Sequence, residues 1–291
     1  MRLLRKLKWL FGTYLMPRHI ATVKTENGVL SFDSKDRTLG RALNVDREFE
    51  SKMMKRTVTL LVDNGDINPT NNRMVMDVGG YVGMSSIGFL NFDLFDKAII
   101  FEPNPVSFSL IKKNIEQNNF SSQISAFNVA LSNRNSELTM ELSQKNFGDH
   151  RIRQPGEIKK GHYQEENRKT INVRSVSFDE FIKEHDQIDF KNISMVWMDI
   201  QGHEGKFLQG AYGFLSSQKI PVVMEFWPYG ILRSGTTKNE FLSSLNKLFT
   251  HFYVVDGEFT ELQNIANVEG LFDESVKTAS GGYNLAFVNK H

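Results

Sequence analysis

The chain has 291 residues, 40% of them hydrophobic and 24% charged, which is enough apolar material for a sizeable core and too much for a disordered polymer. Thirty-five Lys and Arg against 34 Asp and Glu leave a net charge of +1, so there is no whole-chain electrostatic attraction to nucleic acid. Without cysteine there is no disulfide framework, no thiolate metal site and no cysteine nucleophile, and no apolar run approaches the ~20 residues that span a bilayer.

Residues 1–20 carry Arg2, Arg5, Lys6, Lys8 and Arg18 and no acid, while Leu3, Leu4, Leu7, Leu10, Phe11, Tyr14 and Leu15 recur at helical spacing. Two readings follow. The helix docks its apolar stripe on the domain or on a second subunit of a homodimer, or it lies on anionic lipid. The run has neither the apolar core nor the small-residue cleavage site of a signal peptide. The expectation is a cytoplasmic protein, peripheral to a membrane in the second reading, with residues 1–56 as an extension before a domain over 57–291.

From residue 73 short apolar runs alternate with helical periods, the pattern of a mostly parallel sheet covered by helices. Strands are expected at Met74–Val78, Ala98–Phe101, Ser125–Leu131, Ser194–Ile200, Pro221–Phe226, His251–Val255 and Tyr283–Val288. Asn104 caps a helix that begins at Pro105. Ser177 with Glu180, and Thr237 with Glu240, have capping-box spacing. The fold class is α/β: a doubly wound, Rossmann-like sheet of seven strands. Residues 143–170 show neither periodicity and hold seven basic residues (Lys145, Arg151, Arg153, Lys159, Lys160, Arg168, Lys169) against four acids. A loop this long inside a domain reads as solvated chain or as a lid that contacts substrate.

Val78-Gly79-Gly80-Tyr81-Val82-Gly83 joins the first strand to a helix. The dinucleotide fingerprint Gly-x-Gly-x-x-Gly would need a glycine at Val78, and no Lys-Ser/Thr follows to make a phosphate-cradling loop. Asp77 precedes the turn; a carboxylate there repels a pyrophosphate and suits a cation such as the sulfonium and ammonium of S-adenosylmethionine. Glu102, about 20 residues beyond the last glycine and after an apolar strand, can accept hydrogen bonds from both ribose hydroxyls of an adenosine ligand. The seven histidines include no pair at a ligand spacing such as His-x-x-x-His, so no metal is implied.

These residues resemble the FkbM family of S-adenosylmethionine-dependent methyltransferases. Asp77, Gly79 and Gly83 match Asp-x-Gly-x-x-x-Gly, and Phe101-Glu102-Pro103-Asn104-Pro105 matches Phe-Glu-Pro-x-Pro. Asn128-Val129-Ala130-Leu131 matches Asn-x-Ala-Leu, and Asp199 to Glu204 matches Asp-x-x-Gly-x-Glu, with Glu225 following at a strand end. The resemblance, over roughly 57–288, implies that the sheet's last strand is antiparallel, that S-adenosylmethionine is the cofactor, and that a hydroxyl of a sugar, glycan or natural product is the acceptor. It implies cofactor contacts from Asp77, Gly79, Gly80, Tyr81, Gly83, Glu102, Pro103, Asn104, Asn128, Val129 and Ala130, and substrate contacts from Gln201, Glu204 and Glu225. Asp199 and His203, at the carboxyl end of a core strand, are the candidate catalytic bases. Tyr81 stands where the family commonly has Asn, Gln201 where it has Glu and Met198 where it has Lys. A non-catalytic binding protein on the same fold is therefore the alternative, and an NAD(P)-dependent oxidoreductase a second.

Overall fold

The computed structural model describes residues 2–69, 72–154, 156, 160–257 and 260–290. Lys159 and Glu157 of the expected basic loop fall outside these. The N-terminal segment forms helix α1 (Arg2–Leu10), a π-helical turn (Phe11–Leu15), the hairpin β1 (Ile20–Lys24) and β2 (Val29–Asp33), the short turn α2 (Leu39–Arg41) and helix α3 (Ser51–Asp63). The expected boundary at residue 56 thus lies inside α3.

The domain proceeds through β3 (Met74–Val78), α4 (Met84–Asn91), β4 (Lys97–Phe101), α5 (Pro105–Gln117) and β5 (Ile124–Phe127). It then departs into β6 (Ala130–Ser132), β7 (Ser136–Leu142), β8 (Arg151–Ile152) and β9 (Lys169–Ser177) before returning through α6 (Phe178–Glu184) to β10 (Ile193–Met198). The helices α7 (Glu204–Gly210) and α8 (Tyr212–Gln218) lead to β11 (Val222–Phe226), followed by α9 (Pro228–Arg233) and α10 (Lys238–Leu248). The chain closes with β12 (His251–Val254), β13 (Leu262–Asn264), α11 (Val268–Ser275) and β14 (Tyr283–Val288).

The main sheet runs β13-β12-β14-β11-β10-β3-β4-β5. Its strands from β5 to β11 are parallel, and β14 inserts antiparallel between β11 and β12. The seven expected strands are present; β13 is an eighth, a three-residue edge strand without an apolar run to announce it. Successive residues of the central strands divide between two apolar layers, one per face: Met76, Ile99, Val196 and Met224 pack in one, Val75, Ile100, Trp197 and Val223 in the other. Burial on both faces explains why these strands read as unbroken apolar runs.

Three expectations are corrected. Ser125–Leu131 is two strands, because the chain bends at Asn128, whose Nδ2 donates to the carbonyls of Glu102 (2.8 Å) and Pro103 (3.0 Å). β5 stays in the main sheet and β6 joins a second sheet, ordered β6-β9-β7-β8. That sheet organises much of the expected loop, so three of its seven basic residues are not solvated but buried or half-buried in ion pairs. Arg168 Nη2 meets Asp149 at 2.6 Å, Arg151 Nη1 meets Glu165 at 2.9 Å and Arg153 Nε meets Glu141 at 3.1 Å. Finally, α1 does not dock its leucine stripe on the domain; Trp9 and Thr13, on the other side, are the buried residues.

Caps follow the sequence closely. Asn104 accepts from Val106 N (2.9 Å) and Ser107 N (3.3 Å) ahead of Pro105. Thr237 and Glu240 form the full reciprocal box. At Ser177 only half forms: its hydroxyl accepts from Glu180 N, but its own amide donates to Asn135 Oδ1 at 3.0 Å. The N-terminal hairpin is tied to α5 by the fully buried Asn114, whose Oδ1 accepts from Ser31 N (2.7 Å) while Nδ2 donates to Ser31 O (3.0 Å) and Val82 O (2.8 Å). Asn114→Ala leaves these backbone groups unpaired in the interior. Chemical denaturation is expected to show a loss of roughly 2–4 kcal/mol.

Candidate active site

The carboxyl ends of β3, β4, β10 and β11 converge on one cleft, the position where open α/β sheets bind ligands. Its geometry begins with Gly79. At φ +91° this residue takes the left-handed backbone that glycine adopts without penalty, and a Cβ there would lie 1.9 Å from the carbonyl oxygen of Asp199. Asp199 N donates to Val78 O at 3.0 Å, so the turns after β3 and β10 are in direct contact. The glycine thus serves the chain's own close packing. The amides of Gly79 and Gly80 both donate to Phe101 O (2.9 and 3.2 Å), and Tyr81 N donates to Glu102 Oε2 (2.9 Å). The amides of Gly79, Gly80 and Tyr81 are thus held by the protein's own oxygens and are not turned to a pyrophosphate.

Two recesses open from this turn. The first has apolar walls from Val78, Phe101, Val129, Ala130, Leu131, Ile152 and Ile200, with Glu102, Pro103 and His203 among them. Glu102 is buried; Oε1 accepts from Asn104 N (2.8 Å) and Oε2 from Tyr81 N (2.9 Å), each oxygen keeping a second lone pair for a ligand hydroxyl. Burial pushes its carboxyl up to about 8 against the pull of those two amides. His203 Nε2 meets Ser132 Oγ at 2.9 Å, while its Nδ1 is buried with no partner. Burial, helped by the charge of Lys206, lowers the imidazole to about 4, so it is neutral at physiological pH.

The second recess, of about 280 Å³, shares Gly79, Tyr81, Gly148 and Asp199 with the first. Its walls hold four carboxylates, Glu50, Asp77, Asp199 and Glu225, and no Lys, Arg or His. Asp77 accepts from Ser86 Oγ at 2.6 Å, and burial raises it to about 6. Burial and then the charges of Asp199 and Asp256 push Glu50 to about 8. Asp199 opens onto the cleft but is ringed by protein; loss of hydration raises it, with the Gln201 hydrogen bond opposing. Burial, then the charges of Asp199 and Glu204, raises Glu225 well above the ordinary carboxylate range. Gln201 Nε2 bridges them, donating to Asp199 Oδ1 (2.6 Å) and Glu225 Oε2 (2.8 Å).

The expected site residues separate accordingly. Asp77, Gly79, Gly80, Tyr81, Glu102, Pro103, Val129 and Ala130 line the two recesses. Gly83 starts α4 with a left-handed backbone, and Asn104 and Asn128 hold the loop around Glu102 without lining either recess. Glu204, expected at the substrate, is instead fully buried against the preceding turn, accepting from Gly202 N (3.1 Å) and Ile200 N (3.4 Å). His203 lies in the wall of the Glu102 recess. Tyr81, itself at φ +48°, sends its hydroxyl to Asp36 Oδ2 in the N-terminal segment. The sequence reading missed Thr38, Leu39, Phe49 and Glu50, which the N-terminal segment brings to the second recess, and Asn146 and Gly148 of the loop after β7. Only tertiary packing reveals them. Among the described residues no group of three or more His, Cys, Asp or Glu side chains is placed to hold a metal ion.

S-adenosylmethionine fits these residues: Glu102 and the unpaired His203 Nδ1 offer hydrogen bonds to a nucleoside, and the base-free carboxylate recess suits its sulfonium and ammonium charges. Glu102→Ala is expected to weaken its binding by about 1–3 kcal/mol in calorimetry. The raised carboxyls also set the sign of the pH response. Between the ordinary carboxylate range and about pH 8 the folded chain binds more protons than the unfolded one, so stability falls as pH rises. The melting temperature of the ligand-free chain should therefore drop from pH 5 to pH 8, and less steeply in Glu102→Gln. A melting temperature that climbs over this window contradicts the assignment.

Residues 77–248 match the methyltransferase FkbM domain. Among solved structures, the chain is similar to the methyltransferase FkbM of Methylobacillus flagellatus KT, at 16% identity over 70% of this chain and 46% of that one, with a TM-score of 0.39. The present chain thus spans less than half the length of that protein. It is similar to the O-methyltransferase of Bacillus cereus in complex with SAH (11% identity, 99% and 100% of the two chains, TM-score 0.40). It is also similar to the tRNA m1G37 methyltransferase of M. jannaschii (14% identity, 95% and 56%, TM-score 0.41). A comparison with curated proteins returned no match. The match covers more than half of the sequence and includes the glycine turn, Glu102 and the Asp199 block: the chain belongs to the FkbM methyltransferase family, with S-adenosylmethionine as its cofactor.

Proposed function

We propose that this protein is an O-methyltransferase acting on a hydroxyl group of a sugar, a glycan or a sugar-bearing natural product. The observation that carries the reading is the Asp199–Gln201–Glu225 cluster, where the carboxylate recess meets the outer cleft. Gln201 lines both, together with a neighbouring pocket that contains Tyr229. Glu102 and the carboxylate recess would hold S-adenosylmethionine, which would supply an electrophilic methyl group. The chain's own part is to orient an acceptor hydroxyl and to take its proton.

Asp199 and Glu225 raise one another, so the reading requires Glu225 to keep the shared proton and Asp199 to act as the base. Asp199 is left as the anion, steered by the Gln201 amide and pinned where its backbone meets Val78. A carboxylate raised above its usual range is a better proton acceptor for a hydroxyl, and such a base contributes ~10²–10⁴ in rate. His203, neutral and bonded to Ser132, serves the nucleoside side instead. Beyond Gln201 the cleft wall is aromatic. Trp227 and Tyr163 lie at 5.8 Å between ring centroids, and Tyr229 at 5.3 Å from Trp227 and 5.8 Å from Tyr163. The Arg151 guanidinium lies over the Trp227 and Tyr163 rings, 4.4 and 5.0 Å from their centroids, so a cation braces this wall of the outer cleft.

Gln201 and Met198, which depart from the family pattern, suit this arrangement together. A glutamate at 201 would face two carboxylates already sharing one proton; the amide donates to both. With Met198 neutral, no lysine is needed to offset a third charge.

A labelled-methyl assay over sugar hydroxyl acceptors tests the reading. Asp199→Asn is expected to lower kcat by ~10²–10⁴ while S-adenosylhomocysteine binding stays within a few-fold. Wild-type kcat should rise with pH through the raised Asp199 value. Gln201→Glu should displace that rise to higher pH, since a third negative charge lifts the pair further. Undiminished turnover in Asp199→Asn removes Asp199 as the base.

A further inference from the structure

The N-terminal helix turns its apolar side away from the protein. Trp9 and Thr13 are buried, Arg5 is half-buried and Arg2 is paired with Asp46 at 2.7 Å. Positions 2, 5, 9 and 13 share one helical face, and it packs on the Ala42–Asp46 turn. The opposite face carries Leu3, Leu4, Leu7, Phe11, Tyr14 and Leu15, between 52 and 74% exposed. Contiguous exposed apolar surface of this kind marks an interaction site.

The charges around it indicate what covers it. Lys6 and Lys8 are exposed and, at 100° per residue, fall on the two edges of the apolar face. The guanidinium of Arg37 lies 4.9 Å from the ring centroid of Tyr14, and α1 contains no acid. A second copy seated on this face would set lysines against lysines, whereas an anionic bilayer surface receives both the leucines and the cations. No described helix is long and apolar enough to cross a membrane, so the contact is with one leaflet.

We propose that α1 and the Phe11–Leu15 turn lie in the headgroup plane of an anionic membrane. The turn on which α1 packs lies in the chain between Leu39 and Glu50, both in the wall of the carboxylate recess. The inference does not rest on the methyl-transfer reading, and its test is independent of it.

The full chain is sedimented with vesicles of phosphatidylcholine alone or of phosphatidylcholine with phosphatidylserine. Binding is expected to the mixed vesicles, weaker at high salt, and negligible to the neutral ones. Lys6→Gln with Lys8→Gln should reduce it roughly tenfold or more, and Leu7→Ser with Phe11→Ser roughly a hundredfold. Circular dichroism and the melting temperature, which need no ligand, verify that each variant is folded. The proposal is overturned if the folded wild-type chain stays in the supernatant with anionic vesicles, or if the Leu7→Ser, Phe11→Ser variant still binds them. A wild-type dimer in sedimentation velocity that this variant makes monomeric, without vesicle binding, equally overturns it and assigns the face to a second copy.

Discussion

The contact between Gly79 and the Asp199 carbonyl is the constraint from which the rest of the site follows. It is made possible by a residue without Cβ in a left-handed backbone, and it brings the ends of β3 and β10 closer than any side chain would permit. Asp77 and Asp199 consequently face one recess, and the amides of the intervening turn are drawn to Phe101 instead of to a ligand. One steric fact thus both concentrates negative charge and withdraws the donors that would attract a phosphate. A recess of this kind suits a cationic nucleoside better than a phosphorylated one.

Concentrating acids carries a thermodynamic consequence. Glu50, Asp77, Glu102, Glu204 and Glu225 all lie above their ordinary range, each mainly through loss of water. Without a cation nearby this is a source of instability at neutral pH, and such local cost is typical of functional sites. The N-terminal segment shares the arrangement, supplying Glu50 and, through Asp36, the partner of the Tyr81 hydroxyl. It completes the cofactor side of the cleft and is not an appendage to it.

Much of this was readable from the residues themselves. The central strands announced themselves because both of their faces are buried, so no polar alternation interrupts the runs. Asn104-Pro105 and Thr237–Glu240 are local caps whose chemistry acts over a few residues, and Asp77, Glu102 and Asp199 sit at strand ends where spacing alone locates them. The β6–β9 sheet was missed although Leu138, Met140 and Leu142 alternate, as do Ile171 and Val173. Its strands interleave Ser, Thr, Asn and Glu and cover only a small core, so they look like loop. The role of Glu204 was misjudged because a motif position does not say whether a carboxylate faces a ligand or its own turn. Glu50 had no local signal at all; its place depends on contacts hundreds of ångströms of extended chain apart.

The second sheet has a further significance for how this architecture diversifies. It leaves the main sheet after β5 and rejoins it before β10, and it is bound internally by the Asp149, Arg151, Glu165 and Arg168 ion pairs. From it come Arg151, Arg153 and Tyr163 of the outer cleft, while Asp77, the glycine turn and Glu102 belong to the layer beneath. The same unit also walls the Glu102 recess, through Ala130, Leu131, Met140 and Ile152, so one insertion borders the inner cavity and the outer cleft alike. Exchange of this unit for a relative's therefore redraws both openings at once.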